Sequence, residues 1–418
     1  MFSPQVILQI VLFFFVLVTI HEWGHYYFAK RAGILVREFA IGFGPKLFSL
    51  KRGETRYTLR ILPAGGYVRM AGEDPEIVQI NRGQSVAVKL EGGSVTHIYL
   101  DDFDLRGGVV EGVVNSIDLE RDLHIALEHG GESQKYPVHP QAMMVTKGKE
   151  SQIAPWDRQF GSKTVGQRAM SIFAGPLMNF ILAFILFIVV SFMAGVATNV
   201  KIGSVEANSP ADKAGLQNGD IIVNVNKTEI DAEPSTLTQL IKASPDKPMH
   251  WTVMRAGAPV SLEVTPALKN GTPLVGVSLV SDKRAATFTE GIQGGWNNLV
   301  LFTKNILLGF KMLLTGQFSW DDLGGPVRIV EVTGEHASAG FMQYMFWAAV
   351  MSLYLGIFNL LPFPALDGSR LVFLGLEAMR GKPVDPSRES MVHFIGFAML
   401  MLLMVAVTYN DILRLIKG

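Results

Sequence analysis

Residues 19–28, TIHEWGHYYF, set His21, Glu22 and His25 at the end of an apolar run, 4–20, that carries no ionisable side chain. On a helix, residues four apart share a face, so His21 and His25 can each offer a ring nitrogen to one metal ion. Glu22 then lies beside that pair, within reach of water at the metal but outside the ligand set. A zinc ion there lowers the pKa of its water to about 7 and polarises a carbonyl under attack. Glu22 is the base that takes the proton and delivers it to a leaving amine. The plainer reading is a helix end whose polar groups meet the membrane interface. It leaves three ionisable groups unexplained, each costing about 2.5–3.5 kcal/mol in a span.

A catalytic zinc wants three protein ligands and one open position. No further His or acid follows His25 at helical spacing, so the third ligand comes from elsewhere. Asp367, in NLLPFPALDGSR, is the strongest candidate. Pro362 and Pro364 break the helix and Gly368 relieves the backbone, which lets the carboxylate turn into a polar pocket. An ordinary turn Asp at a helix start is the alternative. His393 is the rival ligand, but with no breaker or partner near it this residue reads as an interface histidine. His97, His124, His129, His139, His250 and His336 fall in extramembrane stretches without ligand spacing. The chain has no cysteine, which excludes disulfides, thiolate ligands and a thiol nucleophile. Two imidazoles and a carboxylate suit zinc, and could also hold iron or cobalt.

Membrane elements must position these groups. The 418 residues carry formal net charge zero, with 49% apolar and 18% charged residues, a greasier balance than a soluble protein has. Nothing in that balance offers a basic face to nucleic acid, and that class of partner is excluded. Besides the first window, 170–197, 341–361 and 391–407 are apolar and long enough to cross a bilayer core. The first window lacks a basic leader and a cleavage site and reads as a retained helix. Between residues 30 and 69 stand nine Lys and Arg against Glu38 and Glu54, which puts this loop in the cytoplasm. Both termini and the segment between the second and third spans then lie outside. The expected fold is a polytopic α-helical membrane protein of about four transmembrane helices, with an extracytoplasmic PDZ domain and a β-rich cytoplasmic insertion.

From 200 to about 283 short apolar strands alternate with Gly and Asn turns. Ser209, Pro210, Ala211, Ala214, Gly215, Leu216, Gly219, Asp220 and the strand 221–225 resemble a PDZ domain of the bacterial type. Such domains take an extended chain as an added strand, which implies a substrate filter or gate; a strand-rich domain without a ligand is the alternative. Residues 291–316 have helical apolar spacing but include Lys304 and Lys311. They read as an amphipathic helix lying on or dipping into the outer leaflet rather than a fifth span. The expected order is a first transmembrane helix with HExxH (1–31), a β-loop region (32–72), the insertion (73–162) and a second helix (163–198). The PDZ domain (199–284), a juxtamembrane region (285–338), a third helix with the LDG motif (339–390) and a fourth helix (391–418) follow.

HEWGH at the end of the first span, GFGP at 42–45, PAGGYVRMAGED at 63–74, NLLPFPALDG at 359–368 and the PDZ-type segment between spans together resemble the bacterial site-2 proteases. These are zinc metalloproteases that cut substrates within the membrane, and the resemblance covers nearly the whole chain. The insertion after Glu73 and the single PDZ domain are similar to the Gram-positive branch. The resemblance implies that His21, His25 and Asp367 ligate Zn2+, that Glu22 is the catalytic base and that Asn359 helps hold the substrate backbone. It implies single-span membrane substrates: anti-sigma factors already trimmed by an upstream site-1 protease, and signal-peptide remnants. It also implies a site in the bacterial cell membrane, towards its cytoplasmic side. Ser369 departs from the second Gly usual there, with slightly different packing expected and no ligand lost.

A helical substrate buries its carbonyls in its own hydrogen bonds and must be unwound before attack. The stretch 54–70 alternates and then turns at Gly65 and Gly66 as a hairpin would, where the family has a membrane-associated β-loop. Strand addition to this β-loop is the expected mode of presentation, to be tested by proline replacement along 55–59; a plain cytoplasmic hairpin is the alternative. Two other classes compete. An ion-binding transporter has no need of Glu22. A PDZ scaffold with a structural metal calls for four protein ligands where the chain offers three.

Overall fold

The computed structural model describes residues 2–73, 80–101, 108–129, 131–230, 232, 234–269, 271–317 and 324–417. Asp74, the last residue of the PAGGYVRMAGED motif, lies outside them, as do parts of the expected insertion. The chain divides into two compact units, residues 1–186 with 299–418, and residues 187–298.

In the first unit, helix α1 (Pro4–Arg31) opens on Ser3, whose hydroxyl accepts the Val6 N–H at 3.4 Å, with Pro4 in the first turn. Its buried stripe runs Val6, Ile10, Phe13, Leu17 and continues without a break into His21, Gly24 and His25. The apolar part of that stripe packs on Tyr344 and Ala348 of a later helix. The face that docks α1 is therefore the face that carries the histidines. His21 stands about 26 Å along the helix from Pro4, at 1.5 Å per residue, close to the far side of a hydrocarbon core.

Two sheets follow. Strands β1 (Val36–Arg52) and β2 (Thr55–Met70) are long and pair twice. Residues 36–41 of β1 meet 66–70 of β2 in antiparallel register, from Val36↔Met70 to Ile41↔Gly66. The same residues meet 56–59 on their other side, from Glu38↔Arg56 to Ile41↔Leu59, with both numbers rising together. Residues 46–52 fold back on 55–60. The resulting order across the sheet is 46–52, 55–60, 36–41, 66–70. The hairpin expected between 55–59 and 66–70 is thus not formed: those two runs flank 36–41 instead of each other, and 55–59 is paired on both sides.

The second sheet comprises β3 (Ser85–Glu91), β4 (Ser94–Tyr99), β5 (Val109–Asp118), β6 (His124–His129), β7 (Glu132–Thr146) and β8 (Lys149–Gln152). Its order is β4-β3-β5-β6-β7-β8, and β4 also pairs with β7, which closes β3 to β7 into a small barrel. Val86, Val88, Val95, Ile98, Ile125 and Leu127 fill it. Closure removes the free edges that an inserted sheet would otherwise expose. The turn between β1 and β2 is tied nearby: the Glu54 carboxylate accepts two bonds from Arg158 and one, at 2.8 Å, from Gln152. The Arg158 guanidinium holds the Glu54 carboxyl down to about 2.

Helix α2 (Val165–Ala194) contains Pro176 and ends in the second unit. That unit holds a sheet in the order 258–264, 249–255, 221–225, 200–205, 277–280, with 228–229 on 221–225. Helices α3 (Pro210–Lys213) and α4 (Pro234–Lys242) accompany it. Trp251, Ile202, Leu237 and Met249 form its core. Ser209 caps α3 by accepting the Asp212 N–H at 3.2 Å, and Gly215 and Gly219 sit at φ 79° and 92°, where a side chain is strained. Asp220, bonded by Arg255 at 2.8 Å and 2.7 Å, is held below the usual carboxylate range by that contact.

Helix α5 (Phe288–Leu314) starts in the second unit and ends in the first. Helices α6 (Pro326–Ser338), α7 (Phe341–Asn359), α8 (Asp367–Arg380) and α9 (Pro386–Lys417) complete the chain. Among the described residues four helices are long and apolar enough to cross a membrane: Pro4–Arg31, Val165–Ala194, Phe341–Asn359 and Ser387–Ile416. They contain the expected windows 4–20 and 391–407 and overlap the other two, stopping three residues short of the end of 170–197 and two short of the end of 341–361. The later part of α5 stacks along α7, Phe302 on Phe346 at 5.2 Å and Phe310 on Tyr354 at 5.8 Å between ring centroids. It runs beside α7, one of the four helices long and apolar enough to span.

Candidate active site

His21 and His25 face each other edge to face, and their Nε2 atoms are 3.2 Å apart. Oδ2 of Asp367 lies 3.3 Å from each. Ligands on a zinc ion at roughly 2.0–2.1 Å and tetrahedral angles stand about 3.3 Å from one another, so the three edges of this triangle fit the ion. The Oδ2 atom is buried and takes no hydrogen bond in the structure. A buried carboxylate oxygen aimed at two imidazole nitrogens, with no donor of its own, suits a cation at their centre.

The tautomers are set from α2. The His25 Nδ1–H donates to the Ser171 carbonyl at 2.9 Å, which turns the Nε2 lone pair towards Asp367. His21 Nδ1 meets the Asn179 side-chain amide at 3.1 Å, while Asn179 Oδ1 is buried without a partner. Rotating that amide by half a turn satisfies both groups, since Oδ1 then accepts from His21 Nδ1–H and His21 Nε2 is freed as a ligand. Asn179 is itself fixed, because Ser352 Oγ donates to its backbone carbonyl at 2.9 Å.

Ser171, Gly175 and Asn179 recur every four residues and form one face of α2. A Cβ on Gly175 would stand 2.2 Å from His25 Nε2, and one on Gly24 would stand 2.3 Å from the Ala174 carbonyl oxygen. The two glycines are required by this close approach of α1 and α2.

Asp367 arrives by a different route. Helix α7 ends at Asn359, and the two prolines hold 360–366 out of helix until Asp367 opens α8. The left-handed residue of this turn is Ala365, at φ 75°, whereas Gly368 is not left-handed. Gly368 is needed for proximity: a Cβ there would lie 2.3 Å from the Leu360 carbonyl oxygen. Helix α9 closes on the same turn. Gly396 packs on Pro364, and the Ala365 N–H donates to His393 Nδ1 at 3.1 Å. His393 therefore has a partner, contrary to the sequence expectation, and it belongs to the support of Asp367 and not to the triangle of donor atoms. Ser369 is buried and donates to the Leu366 carbonyl at 2.8 Å, a local packing role, and Asp367 keeps its place in the triangle of donor atoms.

Glu22 is buried beside the triangle and makes no hydrogen bond to any described residue. A Cβ on Gly66 would stand 2.7 Å from its Cγ, so the β2 backbone at Gly66 lies directly against it. Glu73, just beyond that run, pairs with Arg370, one turn after Asp367. Asn359 is half-buried and donates to the Leu355 carbonyl of its own helix at 3.0 Å. Of the five residues singled out from sequence, three meet as donor atoms, Glu22 flanks them, and the Asn359 amide nitrogen is engaged within α7.

The sequence reading missed Ser171, Gly175, Asn179, Glu73, Arg370 and the supporting role of His393. Asn179 was findable: it is the one side-chain amide in the window 170–197, four residues after Gly175.

Two imidazoles and a carboxylate around a metal position, with an uncommitted glutamate alongside and spanning helices as the frame, define a metal-dependent hydrolase of the membrane. The model of peptidase family M50 matches residues 9–403, and the chain belongs to this family. It is 44% identical over 410 residues to the zinc metalloprotease RasP of Geobacillus kaustophilus, covering 97% of each chain. It is 41% identical over 416 residues to the regulator of sigma-W protease RasP of Bacillus subtilis, covering 98% of each. It is 40% identical over 421 residues to the probable protease eep of Enterococcus faecalis, covering 98% of this chain and 99% of that one. The protein is a zinc metalloprotease of the site-2 type, with Zn2+ as its metal.

Proposed function

We propose that the chain hydrolyses peptide bonds inside the membrane, in single-span substrates, with His21, His25 and Asp367 as zinc ligands and Glu22 as the base. The observation that carries this reading is the triangle of Nε2, Nε2 and Oδ2 with edges of 3.2–3.3 Å beside a glutamate free of other bonds. Zinc, when bound, supplies Lewis acidity towards water and a peptide carbonyl. Glu22 takes the proton released in the attack and passes it to the departing amine.

The substrate backbone lies along the run 66–70. Among the described residues this run is paired on one side only, by 36–41, and Gly66 at its start lies against Glu22. An unwound substrate added there exchanges its helical hydrogen bonds for strand bonds and brings a carbonyl to the donor triangle. Within the expected β-loop, 55–59 has no open side, so the added strand is proposed on 66–70. Asn359, at the end of α7, releases its bond to Leu355 to meet the substrate backbone.

The basic loop 30–69 faces the cytoplasm, and the PDZ domain, 199–284, lies on the opposite side of the membrane and acts as a filter. The substrates are anti-sigma-factor-like proteins shortened by an upstream site-1 protease, and signal-peptide remnants; the first class is in keeping with the sigma-W name of the Bacillus subtilis relative. The test is zinc per purified chain. His25→Ala and Asp367→Ala bring it from about one to near zero, whereas His250→Ala leaves it unchanged; a full complement of zinc in either of the first two variants overturns the assignment.

A further inference from the structure

A cavity of about 800 Å³ lies between the β1/β2 sheet and the β7–β8 hairpin, and none of His21, Glu22, His25 and Asp367 lines it. Lys46, Lys51, Arg56, Arg69, Lys147 and Lys149 do line it, and among the described residues no acid pairs with any of the six. Three acids share the lining. Glu54 is taken by Arg158, and Glu38 by Thr58 at 2.8 Å and Arg60 at 3.6 Å. Neither arginine lines the cavity, so Glu150 alone is left to offset the cations. Like charges gathered around a concave surface focus a positive potential and draw in an anion.

The chemistry of that anion is narrowed by strand 46–52, an outer strand of its sheet. It contributes Lys46 and Lys51 to the cavity, and the residues between them include Leu47, Phe48 and Leu50, which are 63%, 61% and 53% exposed. A soluble anion uses the lysines and leaves three large apolar side chains in water. An acidic peptide does the same. An amphiphile uses both. We propose that this cavity binds the phosphate headgroup of an acidic phospholipid, with its acyl chains along Leu47, Phe48 and Leu50. The inference rests on the membrane-spanning reading of the four long helices and is independent of the catalytic reading.

The experiment measures lipid retained by the full chain, purified in a nonionic detergent and incubated with equal phosphatidylglycerol and phosphatidylcholine. The wild type retains phosphatidylglycerol in preference, and less of it as salt rises from about 0.05 to 0.5 M. Lys51→Gln, Arg56→Gln and Lys149→Gln combined lower that retention about tenfold or more. Lys51→Arg with Lys149→Arg keeps it, and zinc per chain stays unchanged in both, which reports the fold. Equal retention of the two lipids by the wild type, or retention unaffected by the glutamines, overturns the proposal. Displacement of phosphatidylglycerol by inorganic phosphate or by a soluble acidic peptide, each at its own molar concentration, also overturns it in favour of that ligand. Should the triple variant lose zinc, the salt dependence, the lipid preference and the arginine variant decide alone.

Discussion

The two halves of the donor triangle are held in opposite ways. His21 and His25 come from consecutive turns of a regular helix, and a second regular helix fixes them through Ser171, Gly175 and Asn179 at four-residue intervals. Asp367 comes from an irregular turn between two prolines and a helix start, kept in place by a left-handed Ala365 and by His393 and Gly396 of α9. The first half is periodic, so its geometry follows from spacing alone. The second depends on contacts between residues far apart in the chain. A regular half gives a fixed platform; an irregular half lets the third donor atom be aimed without constraint from helical pitch.

This contrast predicts an order of sensitivity. Gly175→Ala drives a methyl group into His25 and should abolish zinc binding, with at least about a 100-fold loss of cleavage; zinc retained in this variant would mean that the helices can separate and that the platform is not fixed. Asn179→Ala leaves His21 Nδ1–H without its acceptor and should weaken zinc about 10–100-fold in a chelator competition. His393→Ala removes the acceptor of the Ala365 N–H in the irregular half, where the turn can readjust, and should weaken zinc about threefold to tenfold. If His393→Ala costs more than Asn179→Ala, the contrast is wrong. Ala365→Gly relieves a left-handed alanine worth about 1 kcal/mol and should raise the thermal midpoint slightly with cleavage intact.

The smallest expected effect lies outside both halves. Glu54 is held at about 2 against an ordinary 4.5 by Arg158. Its folded value is depressed, so its contribution is fully present above pH 4.5 and is lost as pH falls towards 2. Proteolysis at the β1–β2 turn should rise in that window in the wild type, and Glu54→Gln should be cut at a rate that no longer changes there.

The legibility of the sequence follows the same division. The spans could be read because each is a long apolar window, and the histidine pair because its spacing matches one helix face. Asp367 could be singled out from the breakers around it, but the reason for Gly368 was misread: close approach to Leu360 is a tertiary fact, and only Ala365 has the unusual φ. His393 was passed over because its partner is 28 residues away, a backbone N–H invisible to any pattern. The β1/β2 sheet misled for a related cause. Alternation followed by two glycines suggests a hairpin, yet 36–41 inserts between the two runs, and strand order is a long-range choice that period-two patterning does not record. Closure of β3 to β7 into a barrel was hidden for the same reason.

The proposed role of Glu22 is that of the base beside a zinc held by His21, His25 and Asp367. It is tested most directly by cleavage of a single-span substrate in reconstituted membranes, comparing the wild type with Glu22→Gln and quantifying zinc in both. The variant is expected to keep about one zinc per chain and to lose cleavage by a factor of about 100 or more. Cleavage at the wild-type rate by a zinc-loaded Glu22→Gln would contradict it.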